Sequence, residues 1–174
     1  MIKSRRGLAA AIVTLASLTL AGVMFFARQP SSQLYKELAA QVTLALEQSS
    51  LDEHHAHGHD FDSRVVCAVE TFGTDPPNAT SVVEVKWVYA RHMCAVTGAG
   101  TDWATSVRAS GPIAVRIGIP PVVQVPEPGM GYPDRVRRLI PARYQDEAFA
   151  EFDDEDAIDA ARQRFTEIKK AQAK

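Results

Sequence analysis

The sequence predicts an α+β fold: an N-terminal transmembrane helix, then a helix packed on a three- or four-stranded antiparallel sheet, with a C-terminal helix. Three observations predict it. Gly7 to Ala27 runs without a charged side chain. Apolar residues recur at helical spacing in two later stretches, within 28–50 and within 134–174. Between them, residues 64–119 hold alternating, β-branched and aromatic runs separated by short turns, the pattern of strands that return antiparallel.

The first element rests on length and charge. "GLAAAIVTLASLTLAGVMFFA" rises about 1.5 Å per residue as a helix, enough to cross a hydrocarbon layer of roughly 30 Å. Lys3, Arg5 and Arg6 in residues 1–6 would hold the N-terminus in the cytoplasm. Residues 7–27 therefore read as a signal anchor, with the rest of the chain extracytoplasmic. The alternative is a cleaved signal peptide and a secreted chain, for which "TLA" at Thr19 to Ala21 offers small residues. The apolar run continues past that point as "GVMFFA", which favours the anchor.

In "SSQLYKELAAQVTLALEQSS", Leu34, Leu38, Val42 and Leu46 fall four apart, one apolar stripe of an amphipathic helix. Residues 51–63 read as a His-rich loop. "RVVCAVETFG" (Arg64 to Gly73) is a strand, and "TDPPNA" a turn. "TSVVEVKWVYARHMCAV" (Thr80 to Val96) is a long strand whose face with Val83, Val85, Trp87, Tyr89, Arg91 and Met93 is the better core candidate. "WATSVRASGPIAVRIGI" (Trp103 to Ile119) is a third strand, with a bulge or bend near Pro112. A two-layer arrangement, with a helix laid across the sheet, follows. Residues 120–133 form a Pro-rich arm. "DRVRRLI" (Asp134 to Ile140) is a short helix stopped by Pro141. A last helix runs from about Asp154 to Lys169 on a stripe of Ile158, Ala161, Phe165 and Ile168, with acids in its first turn and lysines in its last.

Charge excludes one class of partner. Removing Lys3, Arg5 and Arg6 from the 19 basic residues leaves 16 against 21 acidic ones, so the chain beyond the apolar block is mildly acidic and reads as no nucleic-acid binder. The two cysteines, Cys67 and Cys94, read most simply as a disulfide in an oxidising compartment; two buried free thiols are the alternative.

"LDEHHAHGHDFD" holds four of the chain's five histidines. His54, His55, His57 and His59, with Asp52, Glu53, Asp60 and Asp62 around them, are candidate ligands for Zn, Cu or Ni, because neutral imidazole suits these ions. The competing readings are a solvated linker and a pH-responsive segment. No HExxH pattern or nucleophile elbow is present.

"RVRRLIPAR" places four arginines beside an acidic stretch, Asp146 to Asp159, and pairing between the two is the default expectation. Arg135, Arg137 and Arg138, with the adjoining Pro-rich arm, otherwise make a partner-binding surface. The function this favours is a non-enzymatic, membrane-anchored, extracytoplasmic interaction or assembly module facing an envelope or extracellular protein. No cofactor is required. Transition-metal handling by the histidines is the first alternative. A hydrolase is the second, and it needs a pocket where His92 meets a Ser, Asp or Glu from a distant strand.

Overall fold

The computed structural model describes residues 32–98 and 102–172. Helix α1 spans Ser32–Gln48 and buries the expected stripe of Leu34, Leu38, Val42 and Leu46. A second helix, α2 (Leu51–His57), follows at once. Four strands then form an antiparallel sheet in the order β1 (Val65–Asp75), β2 (Trp87–Val96), β3 (Val107–Arg116) and β4 (Val122–Gln124). A single helical turn, α3 (Trp103–Ser106), precedes β3. Helices α4 (Tyr132–Leu139), α5 (Gln145–Phe149) and α6 (Glu155–Gln172) complete the described chain.

Both faces of the sheet are covered, where the sequence predicted two layers. Val65, Cys67 and Val69 of β1 face α1, together with Val88, Ala90 and Cys94 of β2. Val66 and Ala68, of the opposite parity, pack with Ala161 and Phe165 of α6. Tyr89 and Ala114 meet Val136, Ile140 and Ala148 from α4, α5 and the link between them. The physical reason lies in β1, which is apolar at consecutive positions and so has no face for water. The long second strand also starts later than expected. Val82–Glu84 is a 3-10 turn, and the Glu84 carboxylate accepts from the Thr80 amide at 2.9 Å and the Ser81 hydroxyl at 3.0 Å. Val83, expected in the core, is 93% exposed on this turn.

Cys67 and Cys94 are directly opposed on β1 and β2, with Cα atoms 4.1 Å apart, and form the expected disulfide. β1 is an edge strand, so the backbone groups of Cys67 on its open side need partners. Glu47 of α1 accepts from the Cys67 amide at 3.0 Å, and Arg164 of α6 donates to its carbonyl at 2.9 Å. Arg164 also meets Glu47 at 3.0 Å, so helices from opposite faces join over the edge.

Among the described residues no helix is long and apolar enough to cross a membrane. This corrects the predicted transmembrane fold and, with it, the membrane-anchored function, the membrane partner and the single-pass location. The long helices explain the finding: α1 and α6 are amphipathic, each with a charged face toward water. Residues 7–27, on which the anchor was predicted, lie outside the described residues. The disulfide accords with an oxidising, extracytoplasmic compartment.

Candidate functional site

The histidine tract is a helix with caps at both ends. Ser50 accepts from the Glu53 amide, and the Glu53 carboxylate accepts from the Ser50 amide at 2.7 Å, a complete capping box. Gly58 closes the helix at φ +94°, a left-handed conformation that glycine reaches without a Cβ penalty. The chain then turns back, and the His59 amide donates to the His54 carbonyl at 2.8 Å.

A helix rotates successive residues by about 100°, so His55 faces away from His54 and His57, which share a face with ring centroids 6.3 Å apart; His59, beyond the helix, returns to 5.7 Å from His54. His54 is buried against Phe61, with ring centroids 4.8 Å apart. His55 lies exposed, 3.7 Å from the Asp60 carboxylate. His57 is half-buried. His59 is buried and stacks on Phe61 at 4.8 Å. Among the described residues no group of three or more His, Cys, Asp or Glu side chains is placed to hold a metal ion. That corrects the reading of the tract as a transition-metal site: His55 lies on the exposed side, and His59 Nε2 is engaged with His92 rather than with its neighbours in the tract.

The tract instead contributes one histidine to a buried pair. His59 Nε2 lies 2.9 Å from Nε2 of His92, which β2 presents on the α1 face of the sheet. His92 Nδ1 lies 2.8 Å from the carbonyl oxygen of Gly111, its cross-strand neighbour on β3. A carbonyl only accepts, so His92 Nδ1 carries the hydrogen and its Nε2 is a bare acceptor. His59 must then donate from Nε2, which leaves its Nδ1 as a buried lone pair without a protein partner. Burial holds both imidazoles neutral: it pushes His59 down to about 3, helped by His92 and His54, and His92 down to about 4 against the opposing Gly111 bond. His54 and His57 are also lowered, chiefly by burial.

Beside this pair opens a cavity of about 650 Å³. Ala109 and Pro112 of β3 form one wall, and Val125, Pro126 and Pro128 of the Pro-rich arm form another. Tyr132, at the start of α4, with Ser110 and Asp60, completes the polar part of the lining. Gly111 is required here. It sits at φ +133°, and a Cβ on it would lie 2.8 Å from the Tyr132 hydroxyl. β4 pairs only with Ala114–Arg116, so the segment of β3 with Gly111 and Pro112 has no strand on that side and can line a cavity.

The three arginines of the predicted surface differ in their partners. Arg135 turns onto the arm itself, donating to the carbonyls of Glu127, Met130, Pro128 and Gly129 at 2.7 to 3.2 Å. Four carbonyls converge on this one guanidinium, which fixes the arm as a wall. Arg137 pairs with Asp134 at 3.1 Å and lies over Phe149; Arg138 is exposed. Arg143 pairs with Asp75 at 3.5 Å, so neither of these ion pairs uses the acidic stretch from Asp146 to Asp159.

The pocket demanded by the hydrolase reading exists, and Ser110 and Asp60 line it with His92. Both His92 nitrogens are nonetheless committed, to Gly111 and His59, so no serine or carboxylate is its hydrogen-bond partner. Comparison with protein-family models, with curated proteins and with solved structures finds no match to this chain. Of the sequence-level readings, the one centred on the histidine tract lies nearer to this geometry than the one centred on the arm and its arginines.

Proposed function

We propose that this protein is a small-molecule-binding domain whose site is the cavity between the histidine tract, β3 and the Pro-rich arm. The observation that carries the reading is a cavity of about 650 Å³ with a buried, neutral histidine pair against it. Small-molecule sites typically occupy about 300 to 1,000 Å³, with apolar walls and a few fixed polar groups. This cavity has that composition, with proline, valine and alanine walls and His59, His92 and Tyr132 as polar groups. The Arg135 latch supports the reading as well, because a wall set in advance reduces the ordering cost of binding.

The test is fragment binding to the full-length protein, followed by backbone-amide shifts in ¹⁵N NMR spectra, with phenol, indole and benzylamine as probes. Binding should shift Gly58, Ala109 and Gly129 together. A Ser110→Trp variant, altered at an exposed lining position, should lose those shifts while keeping its melting temperature. Probes that bind elsewhere, or that bind the variant equally well, would refute the site.

A further inference from the structure

The cavity is the gap between two strands that stop pairing. β4 pairs with β3 from Arg116 to Ala114, where Gln124 lies opposite Ala114. The same register carried one ladder step further sets Pro126 opposite Pro112, and the next sets Pro128 opposite Ser110. These are the hydrogen-bonding positions. The Ile117 amide donates to the Lys86 carbonyl at 2.9 Å beside the Trp87–Arg116 pair, so Arg116 turns its main-chain groups away from β2, and Ala114, Pro112 and Ser110 share its parity. Neither Pro112 nor Pro126 has an N–H, so that step makes no bond. Pro128 has none either, and its carbonyl accepts from Arg135 at 3.0 Å. The ladder therefore ends at Ala114. The Pro112 carbonyl and the N–H and carbonyl of Ser110 are left without a partner among the described residues. Ser110 is exposed, and it lines the cavity with Pro112, Pro126 and Pro128. The opposite edge of the sheet is treated differently. There Glu47 and Arg164 close the main chain of Cys67, and the Tyr144 hydroxyl closes that of Thr74.

We propose, resting on the reading of this cavity as a ligand site, that its ligand is a short extended peptide that adds a strand to the open edge of β3. Peptide N–H groups donate to the carbonyls of Ser110 and Pro112, and a peptide carbonyl accepts from the Ser110 N–H. This is the ladder that the prolines of the arm forbid the arm itself to make. At about 3.4 Å per residue, three or four ligand residues cover this stretch of edge. Their side chains alternate between the two faces of the sheet. On the α1 side they meet Ala109 and Val125, and on the α4 side Tyr132, so the cavity is lined from both faces as an edge site requires. The bonds from Arg135 to four arm carbonyls hold the arm as the outer wall of the groove. Affinity comes first from the peptide main chain, and the side chains refine it.

The experiment titrates a blocked tetrapeptide of alternating threonine and valine into the full-length ¹⁵N-labelled protein at pH 7. The same peptide N-methylated at every residue is the matched control, and indole is the control for the cavity. The amides of Gly58, Ala109 and Gly129 report on occupancy, and solvent exchange of the Ser110 amide reports on strand pairing. The tetrapeptide should shift the three amides and slow Ser110 exchange at least about tenfold at saturation. The N-methylated peptide has no donors for the two carbonyls and should bind at least about tenfold more weakly. Equal binding of the two peptides, or a Ser110 amide that exchanges as fast at saturation as in the free protein, would overturn strand addition while leaving a ligand site in place. Shifts with indole but none with the tetrapeptide would overturn the peptide inference alone, since main-chain pairing requires no particular side chains. Failure of both to shift these amides would overturn the site itself.

Discussion

Lowering the pH from 8 to 5 should destabilise this protein by about 4 kcal/mol through His59 and His92 alone. Both are bases held neutral in the fold, at about 3 and about 4, against an ordinary value of 6.5. The unfolded chain therefore binds the extra protons. Stability is intact above 6.5 and falls as the pH drops toward the folded values. At pH 5 an unfolded histidine is almost wholly protonated while either buried one is still neutral, which is about 2 kcal/mol each. His54 and His57, also lowered by burial, act in the same direction. The lowered carboxylates Glu53 and Glu84 lose their contribution only as the pH falls below their ordinary 4.5, outside this window. Urea unfolding followed by tryptophan fluorescence at pH 8, 7, 6 and 5 measures the effect. A double variant, His59→Leu with His92→Leu, should lose most of the slope. A wild-type stability that is flat or rising from pH 8 to 5 would refute the neutral buried pair.

Other perturbations test the frame that holds the site. Reducing the Cys67–Cys94 bond, or replacing both cysteines by serine, should cost about 3 to 4 kcal/mol in a urea titration, from a sequence separation of 27 residues. Leu38→Ala should cost about 2 to 5 kcal/mol by the same measurement, since Leu38 is fully buried between α1 and the sheet. Gly73→Ala should cost about 1 to 3 kcal/mol, because the new Cβ would lie 2.7 Å from the Tyr144 ring; that cost should vanish in a Tyr144→Ala background, and its persistence there would reject the steric explanation. Arg135→Met should raise amide exchange at Gly129 and Met130 without lowering protection in β1 or β2, because it frees four carbonyls of the arm but touches no strand.

What the sequence disclosed depended on how local each determinant is. The stripe of α1 and the stripe of α6 repeat within one element; the first is buried throughout, and in the second Ala161 and Phe165 are buried with Ile158 and Ile168 half-buried. The disulfide was legible because only two cysteines exist to pair. The helix under the histidines was equally local: Ser50 and Glu53 are a capping box and Gly58 a C-cap, yet the histidine composition drew attention to ligand chemistry instead. The early start expected for β2 failed because Glu84 bonds its own neighbours Thr80 and Ser81, a side-chain alternative to the ladder that alternation cannot register. Both-sided burial of β1 was written in its consecutive apolar residues. The site is different in kind. His59 meets His92 across 33 residues, Gly111 fixes the tautomer from a third segment, and Tyr132 arrives from a fourth. No spacing within one segment encodes that meeting, and nothing in "RVRR" marks Arg135 as a latch on preceding carbonyls.

The directness of the histidine contact can be separated from mere proximity by a thermodynamic cycle. His59→Leu leaves the His92 acceptor buried with no donor, and His92→Leu leaves the His59 donor and the Gly111 carbonyl in the same condition. An orphaned buried polar group costs about 1 to 3 kcal/mol, so each single variant should be destabilised by that order. The double variant orphans only Gly111 and adds apolar surface beside Phe61 and Val125, so its cost should fall below the sum of the singles by about 1 to 2 kcal/mol. Costs that add within about 0.5 kcal/mol would mean that the two imidazoles do not bond each other. The tautomer assigned to His59 through His92 and Gly111 would then fall with it.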